Sequence, residues 1–116
     1  MAFDQFVIYL ALAFFAGYLG LRWAKFSKTK KLLPQLLADG AVIVDVRTPE
    51  EFRTGAHPRS INIPIARFES GIDKLDPHKT IVVCCASGAR SGLAVGLLKK
   101  KGFEKVINAG PWTNTL

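Results

Sequence analysis

The chain has 116 residues, 49% of them hydrophobic, and a formal net charge of +7. That length holds one domain plus an appendage, and its two cysteines, being adjacent, exclude a disulfide framework because a bridge between neighbours is badly strained. Residues 1–38 carry five bases and one acid, or +4 of that charge, directly after an apolar run and without any basic–aromatic RNA-binding motif; the implied partner is an anionic lipid surface and no nucleic acid.

The first element is "FVIYLALAFFAGYLGL", Phe6 to Leu21, which contains no charged residue. With Arg22 snorkelling and Tyr18 and Trp23 near a head-group boundary, residues 6–24 are long enough to span a bilayer core of roughly 20 residues. A secretory signal would place bases before the run and an Ala-x-Ala site after it. Here Asp4 precedes the run and the bases follow. The expectation is an uncleaved transmembrane anchor over residues 1–26, N-terminus outward, with the rest cytoplasmic (at the inner membrane if the source is bacterial). Free thiols agree with that reducing compartment. Ala13 with Gly17, and Ala16 with Gly20, share a helix face four residues apart, a spacing open to a helix-mediated homodimer.

"SKTKKLLPQLLADG", residues 27–40, reads as a basic connector leading to a short helix, with Pro34 in its first turn and Gly40 as its stop. "AVIVDVR" (Ala41 to Arg47) reads as a strand buried on both faces. In "TPEEFRTG" Thr48 is a cap, Pro49 the first helical position, and Glu50 and Glu51 favour the first turn. "SINIP" is a short strand, "RFESGIDKL" a weak helical region and "DPHK" a turn. "TIVVC" is the second long buried strand. "RSGLAVGLLKKKG" is a helix with Leu93, Leu97 and Leu98 on one face, and "EKVINAG" is the last strand. Alternating strands and helices predict an α/β domain over residues 41–116, a small parallel β-sheet of about four strands flanked by helices in three layers. Its site belongs beyond the carboxyl ends of the strands: Asp45–Arg47, Pro64, Cys84–Cys85 and Asn108–Gly110.

At one of those ends stands "CASGARS". Residues as small as Ala86, Ser87, Gly88 and Ala89 let the backbone curl so that its N–H groups point inward. The following helix adds its free N–H groups and partial positive end. A thiol in that bowl is driven toward thiolate. Arg90 offers a two-pronged cation suited to an oxyanion, and Ser87 and Ser91 offer hydroxyls. No metal-ligand cluster accompanies the loop, and His57 and His78 are isolated in sequence.

"VVCCASGARSG" resembles the active-site loop of rhodanese-like sulfurtransferases, in which a cysteine, four loop residues, then arginine and serine follow an apolar strand. "VDVRTPEEFRTGAHPRSINIP" resembles the same family's upstream signature through Asp45, Arg47, Glu51, Phe52, Gly55 and Pro58. "GFEKVINAG" resembles its last strand. The likeness covers about residues 31–112. It implies that Cys85 is the nucleophile and Cys84 an inert core thiol, and that residues 86–91 form the anion-binding loop. Asp45 and Arg47 are auxiliary, pinning strand to loop.

The implied chemistry moves a sulfane sulfur from thiosulfate or a persulfide, through a Cys85 persulfide, to a thiol or cyanide acceptor, with no bound cofactor. The sequence departs from the family at Ala86, where many members carry a base, and at Gly55-Ala56-His57-Pro58-Arg59, where the histidine is displaced by one. Counting from Cys84 instead gives the five-residue spacing of cysteine phosphatases and arsenate reductases, although a phosphatase also needs a general acid for its leaving group. A third reading is a catalytically silent module that recruits partners to the membrane. The enzymatic reading requires a Cys85 thiol that is ionised and reachable.

Overall fold

The computed structural model describes residues 2–116; Met1, the first residue of the expected anchor, lies outside them. One helix, α1, runs unbroken from Ala2 to Ala38. The expected connector over residues 27–40 is therefore the last part of this helix, and Pro34 lies inside it. A proline removes one helical hydrogen bond, but here tertiary packing outweighs that loss. Leu33 is buried, with Leu36 and Leu37 beside it, against the sheet residues Ile43, Val82 and Ala109.

Four strands, β1 (Val42–Asp45), β2 (Ile61–Asn62), β3 (Ile81–Cys85) and β4 (Val106–Pro111), form one sheet in the order β2-β1-β3-β4. All neighbours are parallel, with Asp45 opposite both Asn62 and Cys84, and Cys85 opposite Pro111. The apolar runs read as doubly buried strands behave so: Ile43, Val44, Ile81, Val82 and Val83 are fully covered, each contributing about 1.5–3 kcal/mol of burial.

Crossovers carry α2 (Pro49–Thr54), α3 (Phe68–Gly71) and α4 (Ala89–Lys100), with short 3-10 turns at Ile65–Arg67 and Ile72–Lys74; a third, Trp112–Thr115, follows β4. One face of the sheet is covered by α3 and α4, where Val44, Val83 and Cys85 meet Phe68, Ala94 and Leu98. The other is covered by the end of α1, which meets Ile43, Val82 and Cys84. The helix that begins as the apolar run thus ends as the third layer of the domain.

The inward stripe of α4 is Ser91, Ala94 and Leu98, while Leu93 is 66% exposed. This corrects the expected Leu93–Leu97–Leu98 face. Ser91 is turned toward Cys85, and positions three and seven residues later then fall on the same side.

Candidate active site

Successive residues of a strand point to opposite faces, and this separates the two thiols. Strand β3 continues through Cys85, one residue further than expected, so neither cysteine opens the loop and both are buried. What distinguishes them is the face. Cys84 lies in the layer under α1; burial, then the Asp45 carboxylate, push its thiol far above the usual range. Cys85 lies on the α4 face, inside the loop.

The Cys85 Sγ accepts the Gly88 N–H at 2.8 Å and lies 3.4 Å from Ser91 Oγ. Burial alone would raise its pKa. The Ser91 hydroxyl and the N–H groups of Ser91, Gly88 and Ser87 outweigh that, and the net shift is downward. These donors satisfy the sulfur best when it is charged. The side chain has no solvent-exposed surface; Ala86, Ser87 and Ala89 face outward and Gly88 and Ser91 inward. The hydrogen bonds favour the thiolate, but the covered sulfur departs from the expectation of a reachable thiol; the loop backbone and Ser91 form its immediate surroundings.

Asn108, on β4, holds this geometry. Its Oδ1 accepts the Ser91 hydroxyl at 2.7 Å and the Gly110 N–H at 2.9 Å, and its Nδ2 donates to Gly88 O at 3.2 Å. Its place at the expected carboxyl end Asn108–Gly110 marked it in the sequence, though its bond to Ser91 did not show there.

Arg90 is committed elsewhere. Its guanidinium donates to both oxygens of Glu51, at 2.7 and 3.0 Å. Hydrogen bonding to Arg90, then to the Thr48 N–H, holds the Glu51 carboxyl down to about 2, and the same pair raises the Arg90 pKa. Glu51 also closes a capping box with Thr48 at the start of α2.

Asp45 and Arg47 form a buried ion pair at 2.7 Å. Arg47 further donates to Glu51 O and Gly55 O, at 3.2 and 2.6 Å, and its guanidinium stacks 4.6 Å from the Trp112 ring. Every donor so placed ties the end of β1 to α2. His57, where burial and then Arg59 lower the pKa, is a turn residue whose Nδ1 accepts the Arg59 N–H.

Helix α1 also reaches the loop. Arg22 donates to Ser87 O at 3.4 Å and to Tyr18 Oη at 3.3 Å, and lies 5.3 Å from the Phe26 ring. Between helix and loop is a cavity of about 450 Å³ whose lining includes Tyr18, Arg22, Phe26, Gly88 and Asn108.

Fold and loop together define a class: a parallel α/β domain presenting a cysteine, hydrogen-bonded by its own loop, at a strand's carboxyl end. The rhodanese-like domain profile matches residues 29–109, and the chain belongs to that family. It is 33% identical over 78 residues to a sulfurtransferase of Allochromatium vinosum, covering 66% of this chain and 73% of that one. It is 39% identical over 75 residues to YrkF of Bacillus subtilis, covering 61% of this chain but only 40% of that longer relative. The solved structure of a rhodanese with anions from E. coli superposes with a TM-score of 0.60 at 31% identity, covering 65% of this chain and 91% of that one.

Proposed function

We propose that the protein is a membrane-anchored sulfurtransferase that carries sulfane sulfur as a Cys85 persulfide. The observation that carries this reading is the Gly88 N–H seated 2.8 Å from Cys85 Sγ, in a loop whose combined hydrogen bonds favour the thiolate. In the first step the thiolate attacks the outer sulfur of a thiosulfate- or persulfide-type donor. A Cys85–sulfur bond forms, the donor's S–S bond breaks, and its electron pair leaves with sulfite or a thiolate. The inward N–H groups stabilise the anionic persulfide. In the second step a thiolate or cyanide attacks the outer sulfur, and Cys85 leaves as thiolate. Because the resting thiol is covered, donor contact requires the exposed residues Ala86, Ser87 and Ala89 to part. Asp45, Arg47 and the Glu51–Arg90 pair act by positioning.

The anchor reading draws support from α1, which is long and apolar enough to cross a membrane; none of its most apolar 18-residue window is buried against the domain. Tyr18 and Arg22 border the cavity beside the loop, so the stretch clear of the domain is residues 2–17. That stretch is about 24 Å long, against roughly 30 Å of hydrocarbon. The loop would then lie at the head-group layer, with the domain on the cytoplasmic side where the bases are.

The test is intact mass after incubating the full chain, in detergent micelles, with thiosulfate or a small persulfide. The expected result is a gain of one sulfur atom, absent in Cys85→Ser and retained in Cys84→Ser. Uptake that followed Cys84 would transfer the chemistry to the other thiol, and no uptake from any donor would leave a recruitment module. A reporter fused after Leu116 that works only outside the cytoplasm would reverse the topology.

A further inference from the structure

The peptide unit between Ser87 and Gly88 is engaged from both ends. Its N–H donates to Cys85 Sγ at 2.8 Å, and its C=O accepts from Arg22 Nη2 at 3.4 Å. A trans peptide points these two groups in opposite directions, so the guanidinium of α1 and the reactive sulfur sit at the two ends of one dipole. A cation on the carbonyl oxygen polarises the amide and strengthens the N–H as a donor, because linked hydrogen bonds reinforce one another.

From this arrangement, and resting on the sulfur-transfer reading of the site, we infer that Arg22 of the anchor helix is a positioning residue for Cys85, holding the Ser87–Gly88 peptide with its N–H on the thiolate. Three further observations carry the assignment. Arg22 is itself held, by Tyr18 Oη and over the Phe26 ring. Among the described residues it has no carboxylate within ion-pair distance, whereas Arg47 is paired with Asp45 and Arg90 with Glu51. Residue 86 brings no charge to the loop, so the cation nearest the Gly88 peptide that is free of a carboxylate comes from outside the domain's own loop.

The approach is also built into the backbone. A Cβ at Gly88 would lie 2.8 Å from Arg22 Nη2, and one at Gly110 would lie 2.8 Å from the Phe26 ring; both glycines have positive φ, at 103° and 75°. A side chain at Gly110 would collide with the Phe26 ring, and one at Gly88 would displace the Arg22 guanidinium from the loop. Arg22 is only partly buried, at the edge of the adjoining cavity, so Arg22→Gln does not strand a buried group.

The experiment follows the ionisation of Cys85 in the full chain in nonionic micelles, on a Cys84→Ser background. Iodoacetamide alkylation is read against pH first, and sulfur uptake from thiosulfate second. Arg22→Gln is expected to move the midpoint to higher pH, slowing alkylation about 3- to 10-fold below it, with the difference closing above it. Arg22→Lys recovers part of the loss, and Lys25→Gln leaves the midpoint in place. A wild-type midpoint in Arg22→Gln, or a rate loss equal at every pH, overturns the assignment; Arg22 is then a head-group contact or a structural prop. Alkylation that responds to Arg22 without sulfur uptake from any donor defeats the transfer reading and leaves the positioning role standing. A thiol unreactive at every pH defeats both.

Discussion

The Ser91 hydroxyl has one proton and three acceptors within reach: Asn108 Oδ1 at 2.7 Å, Gly88 O at 3.0 Å and Cys85 Sγ at 3.4 Å. That proton serves one acceptor at a time, and beside a neutral thiol the shortest contact, to Asn108 Oδ1, takes it. An ionised sulfur is the stronger competitor. Ser91 is thus the largest of the contributions that lower the Cys85 pKa against burial, which acts the other way. Because the folded pKa is depressed, the thiolate's stabilising contribution is present above the unfolded thiol's pKa and is lost as pH falls through the folded one. Ser91→Ala is expected to raise the pH midpoint of Cys85 persulfide formation and to cost about 0.5–1.5 kcal/mol of stability. Cys84→Ser, across the sheet, leaves that midpoint unchanged. Rate–pH profiles by intact mass check both; a midpoint indifferent to Ser91 would assign the ionisation to the backbone amides alone.

Among the elements, α2 owes its place to Glu51, which caps its own helix through Thr48 and reaches α4 through Arg90. The Glu51 carboxyl sits at about 2, below its ordinary value of 4.5. A depressed carboxylate stabilises the fold fully above the unfolded value, and the contribution fades as pH falls toward 2. Glu51→Gln is expected to lower the melting temperature at pH 7, with the gap to wild type narrowing below about pH 4.5. A gap that persists at pH 2–3 would make the loss steric. About a third of each partner's side chain remains in contact with water, so salt should weaken the effect as well. The sequence showed this element clearly, since Thr48, Pro49 and Glu51 obey local capping rules. It also showed β1, β3 and the parallel sheet, but ended β3 at Cys84, one residue short of where it stops. The face of α4 was misjudged because small residues, Ser91 and Ala94, are the buried ones while Leu93 points outward. Pro34 was read as a helix start because the packing of Leu33 that carries α1 through it is a tertiary effect. The Arg22–Ser87 contact spans 65 positions, and no local pattern announces it.

At the scale of the whole molecule, α1 belongs to two environments. Its first half has large apolar side chains open to the surroundings, Phe3, Leu10 and Phe14 among them, while Thr29 and Leu33 are buried in the domain. Two truncations separate these roles. A chain beginning at residue 27 keeps Leu33, Leu36 and Leu37 over Ile43 and Val82 and is expected to melt cooperatively. A chain beginning at residue 39 uncovers that face of the sheet. Losing even one buried leucine there costs about 2–5 kcal/mol, against a total stability of about 5–15 kcal/mol, so loss of the cooperative transition is the expected result. Flotation with anionic vesicles then reads the other half of the helix. The full chain should float at low and high salt alike, because apolar insertion is not screened. The chain from residue 27 keeps Lys28, Lys30 and Lys31 and should float only at low salt, since a basic patch is held by charge and released within a short Debye length. Salt-sensitive flotation of the full chain would mean that α1 lies on the surface of the bilayer; a cooperative transition in the chain from residue 39 would make the sheet self-sufficient and α1 a lid added to it.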